Sequence, residues 1–248
     1  MHSLLTEMLQ HHAVWRGDHL AQSERPGLPS GFAALDQALP GGGWPVGALT
    51  EILSEAQGIG ELSLIAPAIA AQTRQGNGIV LVNPPHWLYG PAWAAQGVTL
   101  ANCLVVRPER ANDVLWVAEQ SLRAGACGLV VEWPEFKQYV PDYRVLRRLQ
   151  TAADTGQTTG MMFRSAGVAH DASPAPLRLQ LAARASSLAV RIIKRRGTPL
   201  PHPILLPLRS DAWRTAAPTD HRMLAPCAQP ATRVASQAAS PRLHVVSS

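Results

Sequence analysis

Residues 55–63 read Glu-Ala-Gln-Gly-Ile-Gly-Glu-Leu-Ser, a short stretch with two glycines to bend it. Its spacing is that of the phosphate-binding loop G-x-x-x-x-G-K-[ST], in which backbone N–H groups cradle phosphates, the lysine neutralises them and the hydroxyl ligates Mg²⁺. With Gly60 as the second glycine, Glu55 stands at the first, Glu61 at the lysine and Leu62 at the hydroxyl position. The charge logic is inverted. A carboxylate about 4 Å from a phosphate charge is repelled by about 4 kcal/mol at an effective dielectric of about 20, where lysine would be attracted by as much. Leu62 offers a metal no oxygen, and Glu61 suits a helix N-terminus, where the macrodipole favours an anion. Gly58 and Gly60 can still shape the loop, and the amides of Gly58 to Glu61 could hold an anion weakly. No resident cofactor is expected beyond such weak ATP contact.

A second set of residues is basic. Arg178, Arg184, Arg191, Lys194, Arg195 and Arg196 fall between Leu177 and Gly197 with no acidic residue among them, which suits salt-sensitive, sequence-independent contact with phosphates. The competing reading is a solvated strand end. Of the seven tryptophans, Trp93 and Trp116 are expected in the core or in helix packing and Trp44 against the glycine turn. Trp213 is a lone aromatic in a polar stretch, flanked by Arg209 and Arg214, and suits a partner-protein anchor. His11, His12 and His86 lack neighbours at metal-ligand spacing, and no Ser/His/Asp triad can be assembled. Cys103, Cys127 and Cys227 are odd in number and far apart, which excludes a disulfide framework or zinc site read from spacing. They fit a reducing cytoplasm.

The elements that must position these groups are legible. "FAALDQAL" reads as a short helix closed by "PGGGWP". From Gly47, apolar runs bounded by Gly and Pro alternate with helical stretches: "GALTEIL", "GIVLVN", "CLVVRP", "CGLVVEW" and "TTGMMFRS" as strands, separated by helices that begin near Glu61, Gly90, Ala111 and Asp142. That alternation predicts an α/β domain with a mostly parallel sheet covered by helices on both faces. Pro67 is expected to kink the first two turns of its helix. "DYRVLRRLQ" places Arg144, Arg147 and Arg148 opposite Val145, Leu146 and Leu149, an amphipathic helix. Beyond residue 165 the segment to Ser186 reads as a loop and one further element, "SLAVRIIKRRG" as a strand and "PLPHPILLPL" as extended chain.

The boundaries expected are a leading helix and linker over 1–25, a core over 26–208 and a flexible tail over 209–248. Five arginines against two aspartates give that tail more than half of the chain's net charge of +5. No apolar run reaches the roughly 18 residues of a membrane span, and the N-terminus lacks the pattern of an export signal.

Residues 31–53, "GFAALDQALPGGGWPVGALTEIL", resemble the opening of the RecA-family core, through Gly31, Leu35, Asp36, Gly41, Gly42, Gly43, Pro45, Gly47 and Glu51 in order. The resemblance implies a RecA-like fold and places the degenerate loop where that family binds ATP. It also aligns Pro85 with the family's water-positioning acid and Glu132, ending "CGLVVE", with its Mg²⁺-side carboxylate. ATP hydrolysis is therefore not expected. The basic strand follows the position of the family's second DNA-contacting loop, here "SAGVAHDASPAPLR". Over residues 28–207, "GIGELSL" followed by a proline is similar to the ImuA family. That implies an adaptor in damage-induced translesion synthesis, with a Y-family-like protein and an error-prone C-family polymerase as partners, and with RecA or DNA as further contacts. The shorter SulA-type division inhibitors share the degenerate core and supply the alternative, and a DNA-stimulated ATPase is a third.

Overall fold

The structure, a computed structural model, describes residues 25–135 and 139–207. The leading helix expected before Arg25, and Arg209, Trp213 and Arg214, lie outside these residues.

After helix α1 (Ala33–Ala38), strand β1 (Leu49–Ser54) leads into α2 (Glu61–Arg74), β2 (Gly78–Val82), α3 (Gly90–Ala95), β3 (Cys103–Val106), α4 (Ala111–Arg123), β4 (Cys127–Glu132), α5 (Tyr143–Gly156) and β5 (Thr159–Ser165). Three further strands follow: β6 (Leu177–Ala183), β7 (Ser187–Lys194) and β8 (Ile204–Pro207). They join one sheet in the order β3-β2-β4-β5-β1-β6-β7-β8. β1 pairs in parallel with β5 and β6, and β7 and β8 add antiparallel. The expected α/β architecture with a mostly parallel sheet is what forms. β6 was not legible as a strand, because "LRLQLAA" carries an arginine and a glutamine inside its apolar run.

The period of two along each strand sorts side chains between two cores. One face carries Ile52, Leu81, Leu129, Val131, Met161 and Leu179, packed against Leu35 of α1, Leu64 and Ile65 of α2 and Trp93 of α3. The other carries Leu49, Val80, Val82, Val130 and Met162 against Val114 and Leu122 of α4 and Leu146 and Leu149 of α5. Trp93 is buried as expected and Trp44, expected against the glycine turn, is fully buried, whereas Trp116 on α4 is 61% exposed. It sits between the positions that carry α4's buried stripe, Val114, Ala118 and Leu122.

Pro67 does not end α2, which runs unbroken over Glu61–Arg74. The proline ring instead lies against Gly31, whose φ is +83° and at which a Cβ would meet Pro67 Cβ at 2.4 Å. Gly31→Ala should therefore cost about 2 kcal/mol, combining a forced left-handed conformation with overlap. Thermal melts of Gly31→Ala against wild type, each with and without Pro67→Gly, separate the two parts, since removing the Pro67 Cβ relieves only the overlap.

Candidate functional site

The site expected from sequence lies at the carboxyl ends of the parallel strands, where α/β sheets bind ligands. β1 delivers the loop 55–60 to α2, with Gly58 at φ +75° and Gly60 at φ +101° as the residue preceding the helix. Both glycines hold left-handed conformations that a side chain would strain. The loop closes on itself: the N–H of Gly58 donates to Glu61 Oε1 at 2.9 Å, and the N–H of Ser63 donates to the carbonyl of Gly60 at 3.0 Å. The Glu61 carboxylate thus takes up an amide that the motif would aim at a phosphate. Its second oxygen, Oε2, is shielded from solvent without a hydrogen-bond partner among the described residues. Glu55 is exposed, and Leu62 packs against the core.

The residues present do not fit a Mg²⁺-nucleotide. The Gly58 amide is taken up by the chain's own carboxylate, Glu61 and Leu62 stand at the motif's lysine and hydroxyl positions, and Pro85 follows β2 where a water-positioning acid would stand. Glu132 departs from the sequence expectation as well. It is buried, neither carboxylate oxygen has a hydrogen-bond partner among the described residues, and burial pushes its pKa up to about 8, with nearby Arg164 opposing the rise and Glu51 adding to it. A carboxyl that is mostly protonated at neutral pH is a poor Mg²⁺ ligand, a cation that relies on charged oxygen donors.

Beside Glu132 the sheet holds an ionic network that the sequence reading missed. Glu51 on β1, 1% exposed, lies 3.5 Å from Arg164 Nη1 on β5 and accepts from Arg178 Nε on β6 at 3.0 Å. Ser173 donates its hydroxyl to the same carboxylate. Arg178 completes its donors on carbonyls of the β5–β6 connection: Ala169 and Asp171 at 3.0 Å and Val168 at 2.8 Å. Arg164 Nη2 donates to the Pro141 carbonyl at 3.2 Å. Lys194 Nζ donates to the Ser173 carbonyl at 2.7 Å, and burial, then the charge of Arg178, lowers its pKa. Residues 166–176, the segment placed by resemblance at a DNA-contacting loop, are thereby a crossover stitched to the sheet.

That geometry corrects the nucleic-acid set. Arg178 is 5% exposed and consumed by Glu51 and three carbonyls, so no phosphate can reach it. Arg195 donates to the carbonyls of Thr198, at 2.8 Å from Nε, and of Ala38. Arg184, Arg191 and Arg196 remain exposed. Arg184 and Arg196 lie beyond opposite ends of β7, separated by roughly 24 Å of strand, and form no single patch. The signal that could have found the network is a charge inside an apolar strand, present in "LTEIL", "GMMFRS" and "PLRLQL" alike, because a buried charge requires a partner.

The RecA N-terminal domain profile matches residues 8–139. The chain belongs to the RecA N-terminal domain family. Over 119 residues it is 34% identical to Protein RecA of Picosynechococcus sp., covering 48% of this chain and 34% of that one. Against Protein RecA of Chlorobaculum parvum it is 34% identical over 116 residues, covering 46% of this chain and 33% of the other. The chain thus spans about a third of the length of the RecA proteins it matches. Among solved structures, SulA from Pseudomonas aeruginosa aligns with a TM-score of 0.39 and 22% identity over 47% of this chain and 97% of that one. The RecA-like core expected from "GFAALDQALPGGGWPVGALTEIL" is thus shown. Within this RecA-like chain, no described helix is long and apolar enough to cross a membrane.

Proposed function

We propose that this chain is a RecA-like binding module that does not turn over ATP and acts as an adaptor in damage-induced translesion DNA synthesis in the cytoplasm. The observation that carries the first half is the Gly58 N–H bound to the Glu61 carboxylate, which gives the loop an internal anion in place of a phosphate. Leu62 and Pro85 support it by removing the metal-side hydroxyl and the water-positioning acid. The second half rests on the "GIGELSL" resemblance over the same core. The partners proposed are a Y-family-like translesion protein and an error-prone C-family polymerase, with the recombinase or DNA as further contacts and Arg209, Trp213 and Arg214 as anchor candidates.

The experiment is complementation of a strain lacking the gene, scored for mutation frequency after ultraviolet damage. The wild-type chain and Leu62→Ala are expected to restore mutagenesis equally, because neither uses a metal-side hydroxyl. Loss of the gene without effect on induced mutagenesis contradicts the adaptor role. Filamentation on overexpression would point to a division inhibitor instead, and DNA-stimulated phosphate release to an ATPase.

A further inference from the structure

We infer that Trp87, with Arg107, forms a stacking site for an unpaired base of single-stranded nucleic acid. Trp87 is 85% exposed, the highest value among the exposed large hydrophobics. Yet it is not on a loose loop. The guanidinium carbon of Arg107 lies 4.3 Å from the centroid of the indole ring, a cation–π contact, and Arg107 Nη2 donates to the carbonyl of His86. His86 Nε2 is 2.8 Å from Gln57 Oε1, and Leu88 packs against the core, so the residues on both sides of Trp87 are anchored. One face of the ring is braced by a cation and the ring as a whole stands in solvent.

A braced indole binds a flat π-system at low ordering cost, because the side chain is already fixed. Arg107 is exposed and has no carboxylate partner among the described residues. A guanidinium group beside an aromatic face suits a base and its phosphate together. Glu55 and Glu109, exposed in the adjoining loops, temper the attraction to phosphates and leave stacking as the main term. That favours unpaired bases over duplex, whose bases are already stacked. The inference does not rest on the translesion role, because it concerns the purified chain and a nucleic acid alone.

The test is fluorescence anisotropy of a labelled oligothymidylate titrated with the full chain at several salt concentrations. Stacking of one base is worth about 1–3 kcal/mol, so Trp87→Ala is expected to weaken binding by about 5- to 150-fold. Trp87→Phe should retain most of the affinity, and Trp116→Ala, which removes another exposed tryptophan, should change nothing. With one arginine on a phosphate, the logarithm of the association constant should fall with log salt at a slope of about −0.7. Duplex of the same length should bind more weakly. The inference is overturned if the wild-type chain does not bind the oligonucleotide at low salt, or if Trp87→Ala binds as wild type does. It is equally overturned if Trp116→Ala is as damaging, or if only the paired change Arg191→Gln and Arg196→Gln abolishes binding, which would move the contact to the end of the sheet near β7.

Discussion

Arg178→Ala is expected to destabilise the fold by about 3–5 kcal/mol, the usual cost of removing one partner from a buried ion pair. The loss is large because Glu51, 1% exposed, would keep only the longer contact to Arg164 at 3.5 Å and the Ser173 hydroxyl. The carbonyls of Val168, Ala169 and Asp171 would also lose their donor. Urea denaturation should show a lower midpoint with an unchanged slope. Amide hydrogen exchange should quicken first in residues 166–176, the crossover that Arg178 pins. Replacing all three charges of the network, Glu51→Leu with Arg164→Met and Arg178→Met, should cost much less than the sum of the single changes, since a fully apolar replacement leaves no orphaned charge, whereas Glu51→Leu with Arg178→Met alone would strand the buried Arg164. A single-variant loss below about 1 kcal/mol, the scale of an exposed pair, would contradict the network.

Glu132→Gln is expected to stabilise the protein at alkaline pH and to be neutral in acid. Burial raises this carboxyl from 4.5 to about 8. Between those values the folded chain holds a proton that the unfolded chain has released, so stability declines as pH rises through the window and levels off above it. A rise of that size corresponds to a cost on the order of 5 kcal/mol when the group is fully ionised. Glutamine, which carries no charge, removes the cost. The difference between variant and wild type should therefore grow from nothing below about pH 4.5 to its full value above about pH 8, read from chemical denaturation across that range. A constant difference at all pH values would mean that packing, not ionisation, governs the position.

Most of the sheet could be read from the chain because its strands are short, apolar and bounded by Gly or Pro. The loop chemistry was legible for the same local reason: Glu61 follows Gly60 directly, and its type alone inverts the charge of the motif. What the sequence could not convey is pairing at a distance. Glu51, Arg164 and Arg178 stand far apart in the chain and meet only because β5, β1 and β6 are neighbours in register, with Glu51 opposite both Met162 and Arg178. Read one at a time, Arg178 is a basic residue near other basic residues and looks like a phosphate contact; in the sheet it is a buried counter-ion. Trp87 was hidden for a similar reason, since Arg107 reaches it from the end of the adjacent strand. Trp116 shows the opposite error, in which an apolar residue inside an amphipathic helix was expected to face the core.

The central claim is that the Glu61 carboxylate takes the place of a phosphate in the loop after β1. The most direct measurement is equilibrium binding of a fluorescent ATP analogue with Mg²⁺ to the wild-type chain, beside the double variant Glu61→Lys, Leu62→Thr. The account predicts no saturable binding by the wild type in the micromolar range and a gain of affinity in the variant, in which the internal anion is replaced by a cation and a hydroxyl is restored. Micromolar binding by the wild type, unchanged or weakened in the variant, would contradict it and return this chain to the nucleotide-dependent members of its family.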